Sequence, residues 1–291
     1  MKIGLIGTGL MGAPMALKLQ ENGYAVAAYN RTAAKLSPLA TAGVRVLDSP
    51  VMVLQQCDAV ILMLSDAGAI AQTLFTPEAI AALSGKTVIQ MGTIAPAQSR
   101  DLGQQVAAAG GEYLEAPVLG SIPQVSTASL IVMVGATAAQ FKRWRPLLQC
   151  FGPEPIHLGP VGAAAATKLA MNQLIGSLTT AFALSLALIQ REGIDVEQFM
   201  QIVRASALYA PTFDKKLDRL LTRNFDQPNF PVKHLLKDMQ LFSQAARAVG
   251  IDPILADSVV QVVQQAIAQG WAEADYSALY VAVDPATVPS P

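Results

Sequence analysis

The feature that most constrains this chain is Gly7-Thr8-Gly9-Leu10-Met11-Gly12, directly behind the apolar run Ile3-Gly4-Leu5-Ile6. The spacing is G-x-G-x-x-G at a strand-to-helix junction. Gly7 permits a tight turn out of the strand, Gly9 lets a pyrophosphate approach the backbone, and Gly12 lets the next helix pack close to the sheet. A helical stretch from Ala13 to Asn22 follows and stops at Gly23, and a second apolar strand, Tyr24 to Tyr29, comes next. Together they form one βαβ unit of about 30 residues. The pattern predicts a dinucleotide held by Gly7, Gly9, Leu10, Met11 and Gly12, with its phosphates at a helix N-terminus.

The end of the second strand bears on which dinucleotide. An NAD site usually places Asp or Glu there to accept from the ribose 2′-hydroxyl. This chain has Asn30-Arg31-Thr32. No carboxylate repels a 2′-phosphate, and the Arg31 guanidinium can pair with one in bidentate fashion. Asn30 and Thr32 can add neutral hydrogen bonds. The expected cofactor is therefore NADP(H).

The rest of the first half continues the alternation. Apolar runs at Lys2–Ile6, Ala25–Tyr29, Ala59–Met63, Thr87–Gln90, Glu112–Glu115 and Ser129–Val134 predict strands separated by helical stretches. The loop Leu64-Ser65-Asp66 lies at a carboxyl strand end, where ligands bind in such sheets. From Val161 onward the pattern is helical: a long apolar helix to Gln190, then Asp195–Ser206, Pro211–Thr222, Phe230–Val249 and Pro253–Gln269, with Gly193, Gly250 and Gly270 as stops. The expected fold class is α/β: an N-terminal doubly wound Rossmann sheet over 1–160, and a C-terminal all-α domain over 161–291, linked by the long helix. The substrate is expected in the cleft between them. Val283 to Pro291 reads as a loose tail.

The segment Leu169 to Gln190 carries no formal charge and is long enough to span a bilayer. Asn172, Gln173, Ser177, Thr179, Thr180 and Ser185 within it argue instead for a buried helix, so no membrane is expected. With 52% hydrophobic and 14% charged residues, the chain is expected to have a large core or an extensive subunit interface, hence a homodimer or homotetramer. The net charge of −1 has no basic block, which excludes a nucleic-acid footprint. Cys57 and Cys150 show no metal spacing and read as reduced thiols; no metal is expected. With a strand beginning at Lys2, no signal peptide is expected, and the compartment reads as cytoplasmic.

Lys168 and Asn172 are four apart in the long helix and share one face. A lysine in such an apolar run either reaches for water or performs a task. Beside a dinucleotide, its ammonium could give a proton to a carbonyl oxygen as hydride reaches carbon. The residues alone leave both readings open.

In order along the chain stand Gly7–Gly12 with Ala13-Pro14-Met15-Ala16, then Asn30-Arg31-Thr32, Leu64-Ser65-Asp66, Met91-Gly92-Thr93, Glu115-Ala116-Pro117-Val118, Gly159-Pro160-Val161-Gly162, Lys168, Asn172 and Lys237-Asp238. This set resembles the β-hydroxyacid dehydrogenases. The stretch Phe230–Met239 and the Asn-Arg-Thr motif look most like the glyoxylate/succinic semialdehyde reductase branch, which prefers NADPH. The resemblance implies Lys168 as proton donor and Asn172 as the residue that orients substrate. It implies Leu64, Ser65, Thr93 and Lys237 beside the cofactor, with Thr93 against the nicotinamide. It places the substrate carboxylate by Leu119, Gly120 and Ser121, with Phe230 walling the pocket and Asp238 positioning its polar groups. The implied substrate is a small carboxylated aldehyde or keto acid. Hydroxyacid oxidation, imine reduction and cofactor binding without catalysis are the alternatives. His157 and His234 read as structural.

Four positions depart from the family pattern. Leu119 and Gly92 stand where serine is usual, and Ala128 and Ala164 where glycine is usual. Losing one hydrogen bond to a carboxylate costs about 1.5–3 kcal/mol, so Leu119 and Gly92 bear on substrate choice.

Overall fold

A computed structural model describes residues 1–285. The chain forms two compact units, Met1–Leu169 and the residues from Ala170 onward.

The first unit runs β1 (Lys2–Ile6), α1 (Gly12–Glu21), β2 (Ala25–Tyr29), a 3-10 turn (Ala33–Leu36), α2 (Ser37–Thr41), β3 (Arg45–Val46), α3 (Pro50–Gln56), β4 (Ala59–Leu62), α4 (Ala67–Leu74) and α5 (Pro77–Ala82). It continues with β5 (Thr87–Gln90), α6 (Pro96–Ala108), β6 (Glu112–Glu115), β7 (Val118–Leu119), α7 (Ile122–Ser126), β8 (Ile131–Gly135), α8 (Ala138–Leu148) and β9 (Ile156–Gly159). The strand order is β3-β2-β1-β4-β5-β6-β8-β7, with β9 paired to β8. From β3 to β6 the neighbours are parallel; β8 runs antiparallel to β6 and β7. Buried side chains alternate across the sheet with period two. Ile3, Leu5, Ile61 and Ile89 pack on one face with Met15, Leu19 and Trp144. Ile6, Val60, Leu62 and Val88 pack on the other with Val53, Leu102 and Val106. This is the doubly wound Rossmann arrangement expected from the sequence.

Three strands were not foreseen. β3 and β7 have two residues each, too short to show alternation. β9 leaves no residue buried, so no apolar period marks it. The last expected strand shifts from Ser129–Val134 to Ile131–Gly135, because Ser129 turns back at the end of α7, its N–H donating to the Gln124 carbonyl.

The second unit is helical. α9 (Ala163–Arg191) begins in the first unit; α10 (Val196–Ala205), α11 (Pro211–Thr222), α12 (Val232–Ala248), α13 (Ile254–Ala268), a 3-10 turn (Tyr276–Leu279) and α14 (Tyr280–Val283) follow. The limits match the sequence signals closely. Asp195 caps α10 by accepting from the Gln198 N–H at 2.8 Å, and Gly193, Gly250 and Gly270 take positive φ just past their helices. α12 starts two residues later than the pattern suggested, since Pro231 is its cap and Phe230 lies outside it. Val283 closes α14, whereas the rest of the expected tail from 286 on lies outside the described residues.

α9 is long and apolar enough to cross a membrane by length and composition. In the second unit, however, its inner face is core: Phe182, Ala183, Leu186 and Ala187 are buried with Leu235, Met239 and Val259. Gly176 is closely packed, since a Cβ there would stand 2.8 Å from the Met239 Sδ and 3.3 Å from the Leu235 Cδ1.

Candidate active site

The glycine loop follows buried β1. Gly7 has φ +100°, and a Cβ there would lie 2.3 Å from the Met63 carbonyl oxygen. A Cβ on Gly12 would lie 1.9 Å from the Gly7 carbonyl oxygen, so α1 can begin against the turn only with glycine. Beside Gly9, by contrast, a Cβ would meet nothing within 4 Å. The N–H groups of Gly9, Leu10 and Met11 have no backbone acceptor among the described residues. The first turn of α1 contains no acidic side chain. Thr8 is buried, and its Oγ1 has no partner. An open approach, unsatisfied donors and an orphaned hydroxyl at a positive helix end fit a bound pyrophosphate.

Asn30 is tied to the glycine loop. Its Oδ1 accepts from the Thr8 N–H at 3.0 Å, and its Nδ2 donates to the Thr32 carbonyl at 3.1 Å. The amide thus ties the glycine loop to the turn after β2. Arg31 and Thr32 are exposed on that turn, and so is Lys35, in the 3-10 turn that follows. The sequence reading passed over Lys35, although a second cation four residues after Arg31 with no acid between is a legible signal.

The next two carboxyl ends are held by side-chain hydrogen bonds. After β4, Asp66 caps α4 by accepting from the Ala69 N–H at 2.8 Å and takes a hydrogen bond from the Ser65 Oγ at 2.7 Å. After β5, buried Gln90 grips Gly92 from both sides. The Gly92 N–H donates to its Oε1 at 2.5 Å, and its Nε2 donates to the Gly92 carbonyl at 2.9 Å. A Cβ on Gly92 would stand 2.5 Å from the Leu64 carbonyl oxygen. The missing serine is therefore a backbone approach that joins Leu64 to Thr93, and a side chain has no room there.

The loop expected to cradle a carboxylate is partly engaged. The Ser121 N–H and Oγ both donate to the Gln124 Oε1, at 2.9 and 2.8 Å, at the start of α7. Leu119 is half-buried in β7, opposite Ile131. Of the two alanine departures, Ala164 is ordinary helix, while Ala128 takes φ +51° at the end of α7, where glycine would be unstrained.

Where β6 ends, Glu115 is buried and accepts four hydrogen bonds. Its Oε1 takes the N–H groups of Gly162, Ala164 and Ala165 at 2.7, 2.8 and 3.1 Å, the first turn of α9. Its Oε2 accepts from the Ser99 Oγ at 2.5 Å. Ser99 has one proton, so the Tyr113 hydroxyl, 2.9 Å away, donates to it. Burial pushes the Tyr113 phenol well up, against the Ser99 hydrogen bond, which keeps it protonated.

Lys168 lies one turn beyond Ala164 on α9, and Asn172 one turn further. In the second unit, Asn172 and Asp238 are both buried. The Asn172 Nδ2 donates to the Asp238 Oδ2 at 2.6 Å, and Lys237 pairs with Asp238 at 3.0 Å. A carboxylate can only accept, so it fixes the amide with Oδ1 facing the other way. That Oδ1 is buried with no partner. Phe230 stacks near His234 at 6.4 Å and meets Tyr276 edge-on at 5.8 Å. Burial, and then Lys237, hold the His234 imidazole below its ordinary pKa.

A pair the sequence reading missed anchors this corner. Lys216 and Asp275 are buried 2.6 Å apart, with Lys216 over the Tyr276 ring at 4.1 Å. Its signal was a lysine in the apolar stripe Phe213, Lys216, Leu220 of α11. Two open surface cavities, about 270 Å3 beside Lys2, Tyr24 and Arg45 and about 340 Å3 beside Arg223 and Trp271, hold none of the expected site residues. No cluster of three potential metal ligands occurs among the described residues.

The glycine loop, Asn30, Leu64 and Thr93 thus follow the carboxyl ends of β1, β2, β4 and β5, with β1 between β2 and β4 at the switch point of the sheet. A Rossmann sheet with this loop, feeding a long helix into an α-helical unit, defines an NAD(P)-binding oxidoreductase. Residues 2–159 match the NAD-binding domain of 6-phosphogluconate dehydrogenase, and 162–283 match the NAD-binding domain of NADP-dependent 3-hydroxyisobutyrate dehydrogenase. The chain belongs to the β-hydroxyacid dehydrogenase family and is an oxidoreductase acting on CH–OH groups. It is 30% identical to glyoxylate/succinic semialdehyde reductase 1 of Arabidopsis thaliana over 97% of this chain and 98% of that protein. Two solved structures share its fold: 3-hydroxyisobutyrate dehydrogenase of Mycobacterium tuberculosis (24% identity, TM-score 0.86, 96% and 97% covered) and an imine reductase from Myxococcus stipitatus (23%, 0.67, 96% and 98%).

Proposed function

We propose that the chain reduces a short aldehyde or keto acid, such as succinic semialdehyde or glyoxylate, to the hydroxyacid with NADPH. Arg31 and Lys35 carry the cofactor choice: two exposed cations follow β2 where an NAD site would have a carboxylate. NADPH, when bound, supplies hydride to the carbonyl carbon. The glycine loop and the N-terminus of α1 hold the pyrophosphate, while Thr93 and Leu64, clamped through Gly92, position the nicotinamide end. Lys168 holds a proton at its Nζ for the carbonyl oxygen. Gly120 and Leu119, in the first unit, receive the substrate carboxylate.

The observation that carries the catalytic reading is the Asn172–Asp238 pair one turn beyond Lys168. A buried acceptor with no partner, locked in orientation by a carboxylate, suits a hydrogen-bond donor such as the hydroxyl formed in the reaction. General acid catalysis is worth about 10²–10⁴-fold. Lys168→Ala should lower kcat by that order, and near wild-type kcat would sink the proton-donor role.

Leu174, Leu178, Leu184 and Leu188 leave an exposed apolar stripe along α9, which supports a homodimer or homotetramer; a monomer by light scattering would refute it. Two buried free thiols, Cys57 and Cys150, support a cytoplasmic location.

A further inference from the structure

We infer that Glu115 is a positioning residue for the proton donor, setting the depth and direction of α9 so that Lys168 stands at the reacting oxygen. The inference rests on Lys168 as the acid.

A helix N-terminus is normally satisfied from within its own sequence, by Ser, Thr, Asp or Asn at the cap. The start of α9 has none: the residues are Gly159-Pro160-Val161-Gly162. The acceptor comes instead from β6, 47 to 50 residues away in sequence. A local cap would satisfy the same N–H groups without burying a charge in the sheet. A long-range cap adds what a local one cannot, which is a fixed distance between helix and strand.

The surroundings hold the carboxylate to one place. Its Oε2 is gripped by the Tyr113–Ser99 relay from β6 and α6. From β8, Gly135 leaves the space it occupies, since a Cβ there would stand 2.2 Å from the Glu115 Oε1. On the other side of the turn, a Cβ on Gly162 would meet the Arg100 Nη1 at 2.2 Å. Two strands, β6 and β8, and helix α6 therefore converge on one oxygen pair, and that pair holds the first turn of α9. Lys168 lies three residues past Ala165, about 4.5 Å along the axis. Over so short a stretch of regular helix, a displacement at the first turn reaches Lys168 undiminished. A misplacement of about 1 Å at a reacting group can cost 10²-fold.

Glu115 is also the residue from which the chain passes through Ala116-Pro117 into β7 and on to Gly120. The strand that carries the substrate loop and the helix that carries the acid are thus registered by a single side chain.

The test is a double-mutant cycle of Glu115→Gln with Lys168→Ala, read by kcat, substrate KM and NADPH affinity from fluorescence. Gln keeps the shape and one acceptor oxygen but removes the charge and the acceptor for Ser99. Glu115→Gln should lower kcat about tenfold or more, leave the NADPH affinity within twofold, and have no further effect in the Lys168→Ala background. An equal loss in both backgrounds would overturn the inference, because a general structural role would act with or without the lysine. So would unchanged kcat in a folded Glu115→Gln protein. Near wild-type kcat in Lys168→Ala alone identifies failure of the acid assignment, and the inference falls with it. Should Glu115→Gln fail to fold, Ser99→Ala, which frees Oε2 while leaving the helix bonds, should show the same kcat loss in smaller degree and the same dependence on Lys168.

Discussion

Arg31→Ala should change which cofactor the protein prefers while leaving its chemistry alone. Arg31 is exposed, and the run from Asn30 to Leu36 contains Lys35 but no acid. Asn30 is neutral and already bonded to Thr8 and Thr32, so it does not replace the lost charge. A charge-assisted hydrogen bond contributes about 1.5–3 kcal/mol. Exposure to solvent puts this pair at the low end, roughly 1.5 kcal/mol, or about a tenfold change. The KM for NADPH should therefore rise about tenfold, and more with Lys35→Ala added. The KM for NADH, which has no 2′-phosphate, should not move. Raising salt should weaken NADPH use more in the wild type than in the variant, since screening acts on the charge pair. Steady-state kinetics with both cofactors decides it. Parallel changes in the NADPH and NADH constants would refute the assignment of Arg31 to the 2′-phosphate.

Restoring the missing serine with Gly92→Ser should lower stability by about 1–3 kcal/mol, as for overpacking, with reduced kcat, because its Cβ would stand 2.5 Å from the Leu64 carbonyl oxygen; thermal melting and activity check this. Ala128→Gly should raise the unfolding temperature by a few degrees through relief of about 1 kcal/mol of left-handed strain. Asp275 is lowered despite burial, which alone would raise it, by Lys216 and the Ser277 donors. Its stabilisation is complete above the unfolded carboxylate value near 3.9 and is lost as pH falls through its lower folded value. Asp275→Asn should flatten that acid limb in a pH series of denaturant melts and cost about 3–5 kcal/mol at neutral pH by leaving Lys216 buried unpaired.

Much of this was legible in the residues. The glycine spacing and alternating apolar runs gave the sheet, since parallel strands buried on both faces read as continuous apolar segments. Proline and capping residues placed α10, α11 and α13 closely. What escaped notice depends on packing between distant segments. β3 and β7 are held by neighbours in the sheet, with no pattern of their own. Gly92 looked like a lost hydroxyl until Leu64 was seen beside it. Nothing local to Asn30 shows that it also clamps Thr8. Ser121 read as a free cradle, although Gln124 three residues on was a visible capping signal. Glu115 is the clearest case, a cap whose helix begins 48 residues later.

The most direct measurement is NADPH oxidation by the purified wild-type protein against a series of C2–C5 aldehyde and keto acids, with cyclic imines in parallel. The account predicts turnover of succinic semialdehyde or glyoxylate, preference for NADPH over NADH, and no turnover of imines. NADPH binding without turnover of any carbonyl acid, or turnover of imines alone, would contradict it.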